Sequence, residues 1–400
     1  MLTPAEAATL IGEHLACLPI ESLPVAQCAG AVLRENVYAE RDQPPFDRVS
    51  MDGVALSSRA VASGRRRFRL QALQAAGDPP LQLADESCCI EIMTGASLPT
   101  GCDAVVPVEQ IEVVGQFAQL RDPVVATAWR NVHRRASDRA QGALLLPTGH
   151  RLNPPEIAIA ASAGMARLRV SSQPAIMIVS TGNELVEPGD PIAPHQIRRS
   201  NSYAIAAALV QRGFRRVADD HLPDDAGVLR DRLDWHLRTH EVLILSGGVS
   251  MGRLDLVPAT LTALGVQGVF HGVAQRPGKP MWFGTTTDGR AVFALPGNPV
   301  STLVCLTRYV LPALDEAMGL NGARDTERIA ISEPLEWSST LTGFVPVTIH
   351  TDDWGRSWAT PRPPNGSGDF VALAATQGFV ELPPGPASYK KGFVTRLYRW

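Results

Sequence analysis

The chain has 400 residues, of which 45% are hydrophobic and 19% charged, and its formal net charge is −3 at pH 7. This length predicts about two to four domains, and the small net charge argues against a nucleic-acid-binding protein, which needs basic surface to meet phosphate. No segment reaches the roughly 18 apolar residues of a membrane span, and the first residues lack the pattern of a signal peptide. The six cysteines form no C-x-x-C pair. We therefore expect a cytoplasmic protein with free thiols, bound neither to nucleic acid nor to a membrane.

Residues 1–170 predict two helical stretches on either side of a β domain. Thr3 and Glu6 have the spacing of a capping box, which marks the start of a helix. Short alternating runs between Gly and Pro over about 46–140 indicate strands. The segment from Pro155 to Gly164 has Pro near its start and Gly at its end, which is typical of a helix.

Residues 172–322 alternate apolar strands with amphipathic helices, a pattern that predicts a parallel α/β sheet. The main strands are predicted near 175–179, 214–218, 242–245 and 291–295, and the main helices near 201–211, 226–238 and 299–318. Residues 323–400 show no helical period and are rich in Pro, Gly and Thr, so they predict a small β domain.

Small polar or acidic residues follow each main predicted strand. The segments are 180–184, 219–225, 246–255 and 296–301. Ligands of an open parallel sheet bind outside the carboxyl ends of its strands. We therefore expect these four segments to form one binding site.

The segment Ser246–Gly252 contains three glycines, whose backbone N–H groups can approach a phosphate closely. A plain tight turn is the alternative, but the combination of Ser, Gly and Asp after a buried strand favours a phosphate or nucleotide. The chain has no P-loop motif and no dinucleotide fingerprint after its first α/β strand, which excludes those two kinds of site.

Four acids, Glu184, Asp224, Asp225 and Asp255, fall at the same predicted edge. Carboxylates beside a phosphate usually bridge to it through Mg²⁺, which prefers oxygen ligands. Each acid could instead be a helix N-cap or a surface charge. This alternative is strongest for Asp224, which precedes the predicted helix 226–238.

The segment Arg276-Pro277-Gly278-Lys279-Pro280 presents two cations on a stiff loop. Arg and Lys in this setting suit an oxyanion or a substrate phosphate, although an exposed turn is the alternative. Only three of the 37 basic residues are lysines, which makes the retained Lys279 more noteworthy.

Three turns of the predicted β domain also carry polar candidates: Asp52, Thr94 and Asp138. Each sits among small residues, and each alone predicts only a turn. They would matter for chemistry if this domain faced the α/β site.

Taken together, these motifs resemble the molybdopterin molybdenumtransferases, that is, the bacterial MoeA proteins and the E domains of gephyrin and its plant relatives. The resemblance covers about residues 5–395. It is carried by the strings FDRVSMDGVA, MTGASLPTGCDAVVPVE, STGNEL, SGGVSMGRLD, RPGKP and LPGNPVS.

The resemblance implies four domains in a multidomain α/β protein. They are an elongated linking domain (1–45 with 140–171), an inserted β domain (46–139), an α/β domain like the pterin adenylyltransferases (172–322) and a C-terminal β barrel (323–400). It also implies an elongated homodimer, with the active cleft between the α/β domain of one subunit and the first two domains of the other. A pterin adenylyltransferase and recipient molybdoenzymes or their chaperones would be its partners.

The implied reaction consumes adenylated molybdopterin and molybdate. Molybdenum enters at the dithiolene, and the pterin–AMP phosphoanhydride is hydrolysed with Mg²⁺ or another divalent ion, which releases AMP.

Carried over by motif position, the resemblance assigns catalytic roles to Asp52, Asp138, Glu184, Asp224, Asp255 and Lys279, with Glu184, Asp224 and Asp255 as metal ligands. It assigns substrate binding to Thr94, Ser180, Thr181, Gly247, Gly248, Val249, Ser250, Arg276, Pro296, Gly297, Asn298, Pro299 and Ser367.

The sequence departs from the family's usual residues at five positions. Val54 stands for Tyr, Ser137 for Glu, Asn183 for Asp, Arg199 for Asn or an acid, and Arg276 often for Lys. These changes leave open a non-catalytic pterin-binding or scaffold relative, which would bind without turnover. An adenylyltransferase, as the α/β domain alone would suggest, is a further alternative that ATP consumption would reveal.

Overall fold

The structure, a computed structural model, describes residues 1–249, 256–385 and 387–400. Its chain divides into two compact units. Unit 1 comprises Met1–Glu35, Gly149–Asn153 and Arg167–Trp400, and unit 2 comprises Asn36–Thr148 and Pro154–Ala166. The finer division into four domains stays a prediction.

Eight α-helices are present in the described residues. They are α1 Pro4–His14, α2 Ser58–Ala62, α3 Pro154–Ser162, α4 Asn201–Gln211, α5 Ala226–Thr239, α6 Val257–Ala263, α7 Pro299–Cys305 and α8 Leu311–Ala317. A π turn, Leu306–Val310, joins α7 to α8, so the long helix predicted near 299–318 is continuous but locally widened. No helix in these ranges combines the length and the apolar character that a membrane crossing requires.

The strands of the first half are β1 Ile20–Pro24, β2 Val37–Tyr38, β3 Arg48–Val49, β4 Gly53–Leu56, β5 Arg67–Gln74, β6 Cys88–Ile92, β7 Ala104–Pro107, β8 Ile111–Val114, β9 Phe117–Leu120, β10 Val132–His133, β11 Leu144–Leu146, β12 Arg167–Ser171, β13 Ile176–Thr181, β14 Leu185–Val186 and β15 Ile197–Arg198.

The strands of the second half are β16 Val217–Leu222, β17 Val242–Ser246, β18 Gln267–His271, β19 Gln275–Arg276, β20 Trp282–Thr285, β21 Ala291–Leu295, β22 Glu327–Ile331, β23 Leu335–Glu336, β24 Thr342–Thr351, β25 Ser357–Pro361, β26 Gly378–Leu382, β27 Ser388–Tyr389 and β28 Val394–Arg399.

The N-terminal helix confirms the predicted capping box. The Glu6 backbone N–H donates to Thr3 Oγ1 at 3.3 Å, and the Thr3 backbone N–H donates to Glu6 Oε2 at 2.8 Å. These two bonds satisfy donors that the first helical turn would otherwise leave unpaired.

Unit 2 contains the predicted β domain as a six-stranded sheet in the order β7-β4-β6-β5-β9-β8. The sheet buries apolar side chains on both faces. Cys88 packs in one of these clusters with Ile90, and Cys89 packs in the other with Phe68, because successive strand residues point to opposite faces.

The α/β sheet of unit 1 has the order β16-β13-β17-β21-β20-β18. Four strands, β16, β13, β17 and β21, run parallel, as predicted. The other two, β20 and β18, pair in antiparallel fashion, so the sheet is mixed rather than wholly parallel. The antiparallel part is possible because short connections join β18 to β20 and β20 to β21 without a crossover helix.

Two helical layers cover the α/β sheet. Alternate residues of β13, for example Ile176 and Ile178, face the cluster that contains α1, α4, α7 and α8. The intervening residues Met177 and Val179 face the cluster that contains α5 and α6. Burial on both faces explains why the central strands are continuous apolar runs.

The predicted strand near 214–218 lies instead at 217–222. This places Asp219 and Asp220 inside β16 rather than after it, which corrects the sequence-based boundary. The strand is at the end of the sheet order, and its acids are paired: Asp219 with Arg199 at 2.8 Å, and Asp220 with Arg232 at 2.6 Å. These ion pairs allow a charged sequence to form an edge strand.

The C-terminal region confirms the predicted small β domain. Strands β22, β24, β25, β26 and β28 form a five-stranded barrel that the pairing of β24 with β26 closes. Strand β19 of the cationic loop pairs with β24, with Arg276 opposite Gly343. The cationic loop is therefore attached to the barrel by backbone hydrogen bonds.

A buried carboxylate ties together separate parts of unit 1. Asp315 is fully buried and accepts from Arg151 at 2.5 Å and from Arg212 at 2.8 Å. We expect Asp315→Ala to lower the free energy of unfolding by about 3 kcal/mol, because it leaves two cations without their buried partner. Urea denaturation would measure the loss.

Asp234→Ala is the matched control for this substitution. Asp234 pairs with Arg238 at 2.7 Å, but both side chains are exposed, and such pairs contribute at most about 0.5 kcal/mol. Equal losses for the two variants would contradict the importance given to Asp315.

Candidate active site

A cavity of about 740 Å³, here called the sheet-edge cavity, lies at the carboxyl ends of β13, β17 and β21. This is the edge at which the sequence predicted a site. Eleven of the predicted site residues line it: Ser180, Thr181, Glu184, Asp224, Gly247, Gly248, Val249, Pro296, Gly297, Asn298 and Pro299.

Two consecutive glycines keep the floor of the sheet-edge cavity free of side chains. Gly247 and Gly248 have φ angles of +102° and +65°, which side-chain-bearing residues rarely adopt. A Cβ on Gly247 would lie 2.7 Å from the Thr181 carbonyl oxygen, and one on Gly248 would lie 2.7 Å from Val257 Cγ2. Only glycine fits at either position, and a ligand can approach the backbone closely here.

Two buried hydroxyl groups lie at the end of β13, and that of Thr181 packs against this glycine turn. Ser180 and Thr181 are 1% and 4% exposed, and neither hydroxyl oxygen has a hydrogen-bond partner among the described residues. Buried polar atoms are normally paired. Both residues line the sheet-edge cavity, but their hydroxyl oxygens themselves are enclosed.

The Glu184 carboxylate folds back over Gly182. A Cβ on that glycine would lie 2.5 Å from Glu184 Oε2, so the absence of a side chain at Gly182 makes room for the acid. Asp224 lies across the same cavity and is held by Asn183. The Asp224 backbone N–H donates to Asn183 Oδ1 at 3.2 Å, and the Asn183 backbone N–H donates to Asp224 Oδ2 at 3.4 Å.

Asp225, rather than Asp224, caps helix α5. The Val228 backbone N–H donates to Asp225 Oδ1 at 2.9 Å. This frees Asp224 to line the cavity, so the structure favours a site role for Asp224 over the cap that the sequence left open.

The structure describes two of the three predicted metal ligands. Glu184 and Asp224 line one cavity, whereas Asp255 and the predicted phosphate-binding Ser250 lie outside the described residues. Within the described ranges, no three His, Cys, Asp or Glu side chains form a group suited to a metal ion.

Arg199 lines the sheet-edge cavity but is already paired. It is 6% exposed and forms ion pairs with Glu187 and, at 2.8 Å, with Asp219. Burial acts to lower the pKa of the Arg199 guanidinium, but the hydrogen bond to Glu187 and the charge of Asp219 outweigh burial and raise it. The positive charge at this unusual position is thus balanced by the protein itself.

Asn201 joins two of the cavity-forming loops and was not identified from the sequence. Its Nδ2 donates to Ser246 Oγ at 2.8 Å and to the Gly297 carbonyl at 2.7 Å. An Asn at the start of a helix usually indicates a cap, so the sequence contains no signal of this long-range role.

A second cavity of about 530 Å³, here called the barrel cavity, lies where the cationic loop meets the barrel. Arg276, Lys279 and Ser367 line it, as do Pro296 and Asn298, which also line the sheet-edge cavity. The two cavities are therefore adjacent. Ser367 is fixed at their junction, because Asn298 Nδ2 donates to Ser367 Oγ at 2.8 Å.

Trp337 is a residue of the barrel cavity that the sequence did not single out. Its indole Nε1 is buried and has no partner among the described residues, and its ring lies 5.9 Å from the Arg276 guanidinium. Indole N–H groups usually find an acceptor when buried. The Nε1 atom is enclosed beside Gly343, so Trp337 contributes shape to the barrel cavity rather than a hydrogen-bond donor.

Buried polar contacts support the cationic loop from below. Gln275 Nε2 donates to the Pro277 carbonyl at 3.1 Å, and the Tyr309 hydroxyl donates to Gln275 Oε1. Cys305 contacts the same amide, and burial raises the pKa of its thiol to about 12. Buried, uncharged side chains therefore support the cationic loop.

The remaining predicted residues lie in unit 2. Asp52 Oδ1 accepts hydrogen bonds from the Thr94 backbone N–H at 2.6 Å and its hydroxyl at 2.7 Å. These bonds hold the pKa of Asp52 below its usual range, so Asp52 is a carboxylate at neutral pH. A Cβ on Gly53 would lie 2.0 Å from the Val106 carbonyl oxygen, which explains the glycine after Asp52.

Asp138 is the other acid of unit 2. Its Oδ1 lies 2.8 Å from His133 Nε2 and accepts from the Ser137 hydroxyl at 3.3 Å. His133 is a further residue that the sequence did not single out.

Comparisons with known proteins bear on the whole chain. Residues 2–164 match the MoeA N-terminal region (domain I and II), residues 177–316 a probable molybdopterin binding domain, and residues 331–396 the MoeA C-terminal region (domain IV). The chain is 39% identical to a molybdopterin molybdenumtransferase of Synechocystis sp. over 401 residues, with 100% of each chain covered. It is 35% identical to one of Synechococcus elongatus, with 96% of each covered.

This chain belongs to the molybdopterin molybdenumtransferase family.

Structural similarity supports this membership. The crystal structure of a molybdopterin biosynthesis MoeA protein from Pyrococcus horikoshii has a TM-score of 0.82 and 28% sequence identity, and the match covers 100% of this chain and 99% of that chain. The family and the fold class that the sequence predicted are therefore confirmed. The roles of the individual site residues stay predictions.

Asp224 and Asp225 offer a paired test of the site. We expect Asp225→Ala to lower the free energy of unfolding by about 1 kcal/mol through loss of the helix cap, and to leave ligand binding intact. Asp224→Ala should leave stability nearly unchanged and weaken binding of Mg²⁺ and AMP together. Urea denaturation and titration calorimetry measure the two effects, and the reverse pattern would show that Asp224 is only structural.

Proposed function

We propose that this protein inserts molybdenum from molybdate into adenylated molybdopterin and releases AMP. The observation that carries the proposal is the adjacency of the two cavities. The sheet-edge cavity has a glycine floor, two acids and the charge-balanced Arg199, whereas the barrel cavity has the cations Arg276 and Lys279. A phosphate-bearing substrate in the first would place its far end near an oxyanion held in the second.

The sheet-edge cavity suits the nucleotide and pyrophosphate part of the substrate. The turn at Gly247 and Gly248 allows backbone N–H groups to meet phosphate oxygens. The Thr181 hydroxyl packs against the same turn and leaves no side chain between the turn and a ligand.

The barrel cavity suits molybdate. Arg276 and Lys279 supply positive charge, and the Ser367 hydroxyl supplies a neutral donor. A tetrahedral oxyanion accepts hydrogen bonds at every oxygen, so a mixed set of charged and neutral donors can hold it in a fixed orientation.

Mg²⁺ fits the acids of the sheet-edge cavity. Glu184 and Asp224 offer the oxygen ligands that this ion prefers, beside a place for phosphate. When bound, it would neutralise phosphate charge and make the phosphoanhydride easier to cleave. The protein's own part is to hold the two acids apart from Arg199, whose charge Glu187 and Asp219 already balance.

The activity predicts that the purified protein, given adenylated molybdopterin, molybdate and Mg²⁺, releases AMP. Chromatography of the nucleotide measures it, and EDTA should abolish the release. Lys279→Met should raise the molybdate concentration needed for half-maximal rate by more than about tenfold, through loss of one charge-assisted contact.

Lys391→Met is the matched control, because Lys391 lies near the Trp358 ring of the barrel and does not line either cavity. Substrate binding without AMP release would contradict the transferase and support a non-catalytic scaffold. An AMP-release rate that does not depend on molybdate concentration would contradict the proposed role of the barrel cavity in binding molybdate.

We also propose that the enzyme is a homodimer in which Asp52 and Asp138 of one copy serve the sheet-edge cavity of the other. Pterin adenylyltransferase and recipient molybdoenzymes are its proposed partners, since its substrate must be adenylated before it arrives and its product must be handed on. The family resemblance supports this arrangement.

Co-expression of two inactive variants tests whether both chains of the homodimer contribute to one active site. Co-expressed Asp52→Ala and Glu184→Ala chains should recover about a quarter of the wild-type rate, because half of the dimers are mixed and each mixed dimer has one intact site. If both acids act within one chain, mixing restores nothing. Light scattering of each variant alone checks that it still forms dimers.

A further inference from the structure

A chain of three side chains connects two strands of unit 2 to the predicted catalytic Asp138. Arg48 Nη2 lies 3.2 Å from His133 Nδ1, and His133 Nε2 lies 2.8 Å from Asp138 Oδ1. Arg48 and His133 are direct partners in the β3–β10 ladder. The contact between them is thus set by strand register.

The partners of His133 determine which of its nitrogens carries the proton. A guanidinium has only donors, so Nδ1 must accept from Arg48. Nε2 then carries the hydrogen and donates it to Asp138. Only the neutral Nε2–H form of His133 satisfies both contacts, and protonation of Nδ1 would turn a hydrogen bond with Arg48 into a repulsion.

The backbone around Asp138 is held equally firmly. The Asp138 backbone N–H donates to the Gln43 carbonyl at 2.9 Å, and that of Ala136 to the Pro44 carbonyl at 3.0 Å. Ala136 has a φ of +61°, a conformation that costs free energy for a residue with a side chain. These backbone contacts therefore hold Asp138 in one position.

Other charged groups near this turn are engaged elsewhere. Arg134 stacks on the Trp129 ring at 4.3 Å, Arg135 pairs with Asp42 at 2.6 Å, and Arg139 donates to the Asp138 carbonyl at 2.7 Å. The charged side chains in contact with the His133 ring are Arg48 from β3 and Asp138 from the turn.

We propose that His133 is a positioning residue for Asp138 in the transferase reaction. Both side-chain bonds to Asp138, from His133 and from Ser137, go to Oδ1, which fixes the carboxylate plane and assigns Oδ2 to the substrate side. This inference rests on the proposed function, since it gives Asp138 a part in catalysis. It adds a residue and a required protonation state.

If His133 only stabilised the fold, its removal would lower the melting temperature. His133 and Asp138 are 37% and 53% exposed, and such exposed pairs contribute little to stability. Removal of the imidazole should therefore affect the rate much more than the melting temperature.

Two substitutions separate the roles. His133→Leu removes the donor and should lower kcat of AMP release about tenfold with KM nearly unchanged, as expected for loss of a bond to a charged group. His133→Gln places an amide N–H near the Nε2 position and should retain most of the rate.

A double variant shows whether His133 acts through Asp138. Asp138→Asn combined with His133→Leu should be no slower than Asp138→Asn alone. Losses that multiply, or a His133→Gln variant as slow as His133→Leu, would overturn the proposal.

A measurement independent of turnover completes the test. Nitrogen-15 NMR of the histidine rings should show His133 as the Nε2–H tautomer at neutral pH, assigned by its disappearance in His133→Gln. An Nδ1–H tautomer would overturn the proposal. A wild-type protein without AMP release would instead contradict the proposed function, while the tautomer still reports on the contact itself.

Discussion

The contact between the glycine turn and the end of strand β13 is the constraint on which the site depends. Gly247 and Gly248 pass so close to Thr181 and Val257 that neither could carry a Cβ. This closeness brings the ends of two parallel strands together without any side chain between them. The cavity floor there is backbone alone, which allows a ligand to approach the edge of the sheet closely.

Acids and cations are arranged around this surface in separate zones. Glu184 and Asp224 lie in the sheet-edge cavity, and Arg276 and Lys279 lie in the barrel cavity. Two cations also line the sheet-edge cavity. The buried Arg199 is balanced by Glu187 and Asp219, and the exposed Arg198 donates to the backbone carbonyls of Glu187 and Asp190. Such separation suits a substrate that carries phosphate next to a metal ion at one end and meets an oxyanion at the other.

Much of this arrangement could be predicted from the sequence, because fully apolar strands such as Val242–Ser246 are unambiguous and the residues after them must share one edge. The edge strand β16 was misplaced, since the ion pairs that stabilise Asp219 and Asp220 come from residues distant in sequence. The choice between Asp224 and Asp225 as the cap depends on local backbone angles that the residue types alone do not determine. Asn201, Trp337 and His133 were missed for a related reason: each acts through a partner that only the folded chain brings near.

The pairing of β19 with β24 has a mechanical consequence. Because Arg276 lies opposite Gly343 in a backbone ladder, the cationic loop belongs structurally to the barrel as much as to the α/β sheet. An anion that is bound more tightly in one position of the barrel must stabilise that position by the same free energy. The position of the cationic loop is therefore determined jointly by the α/β sheet and by the C-terminal barrel.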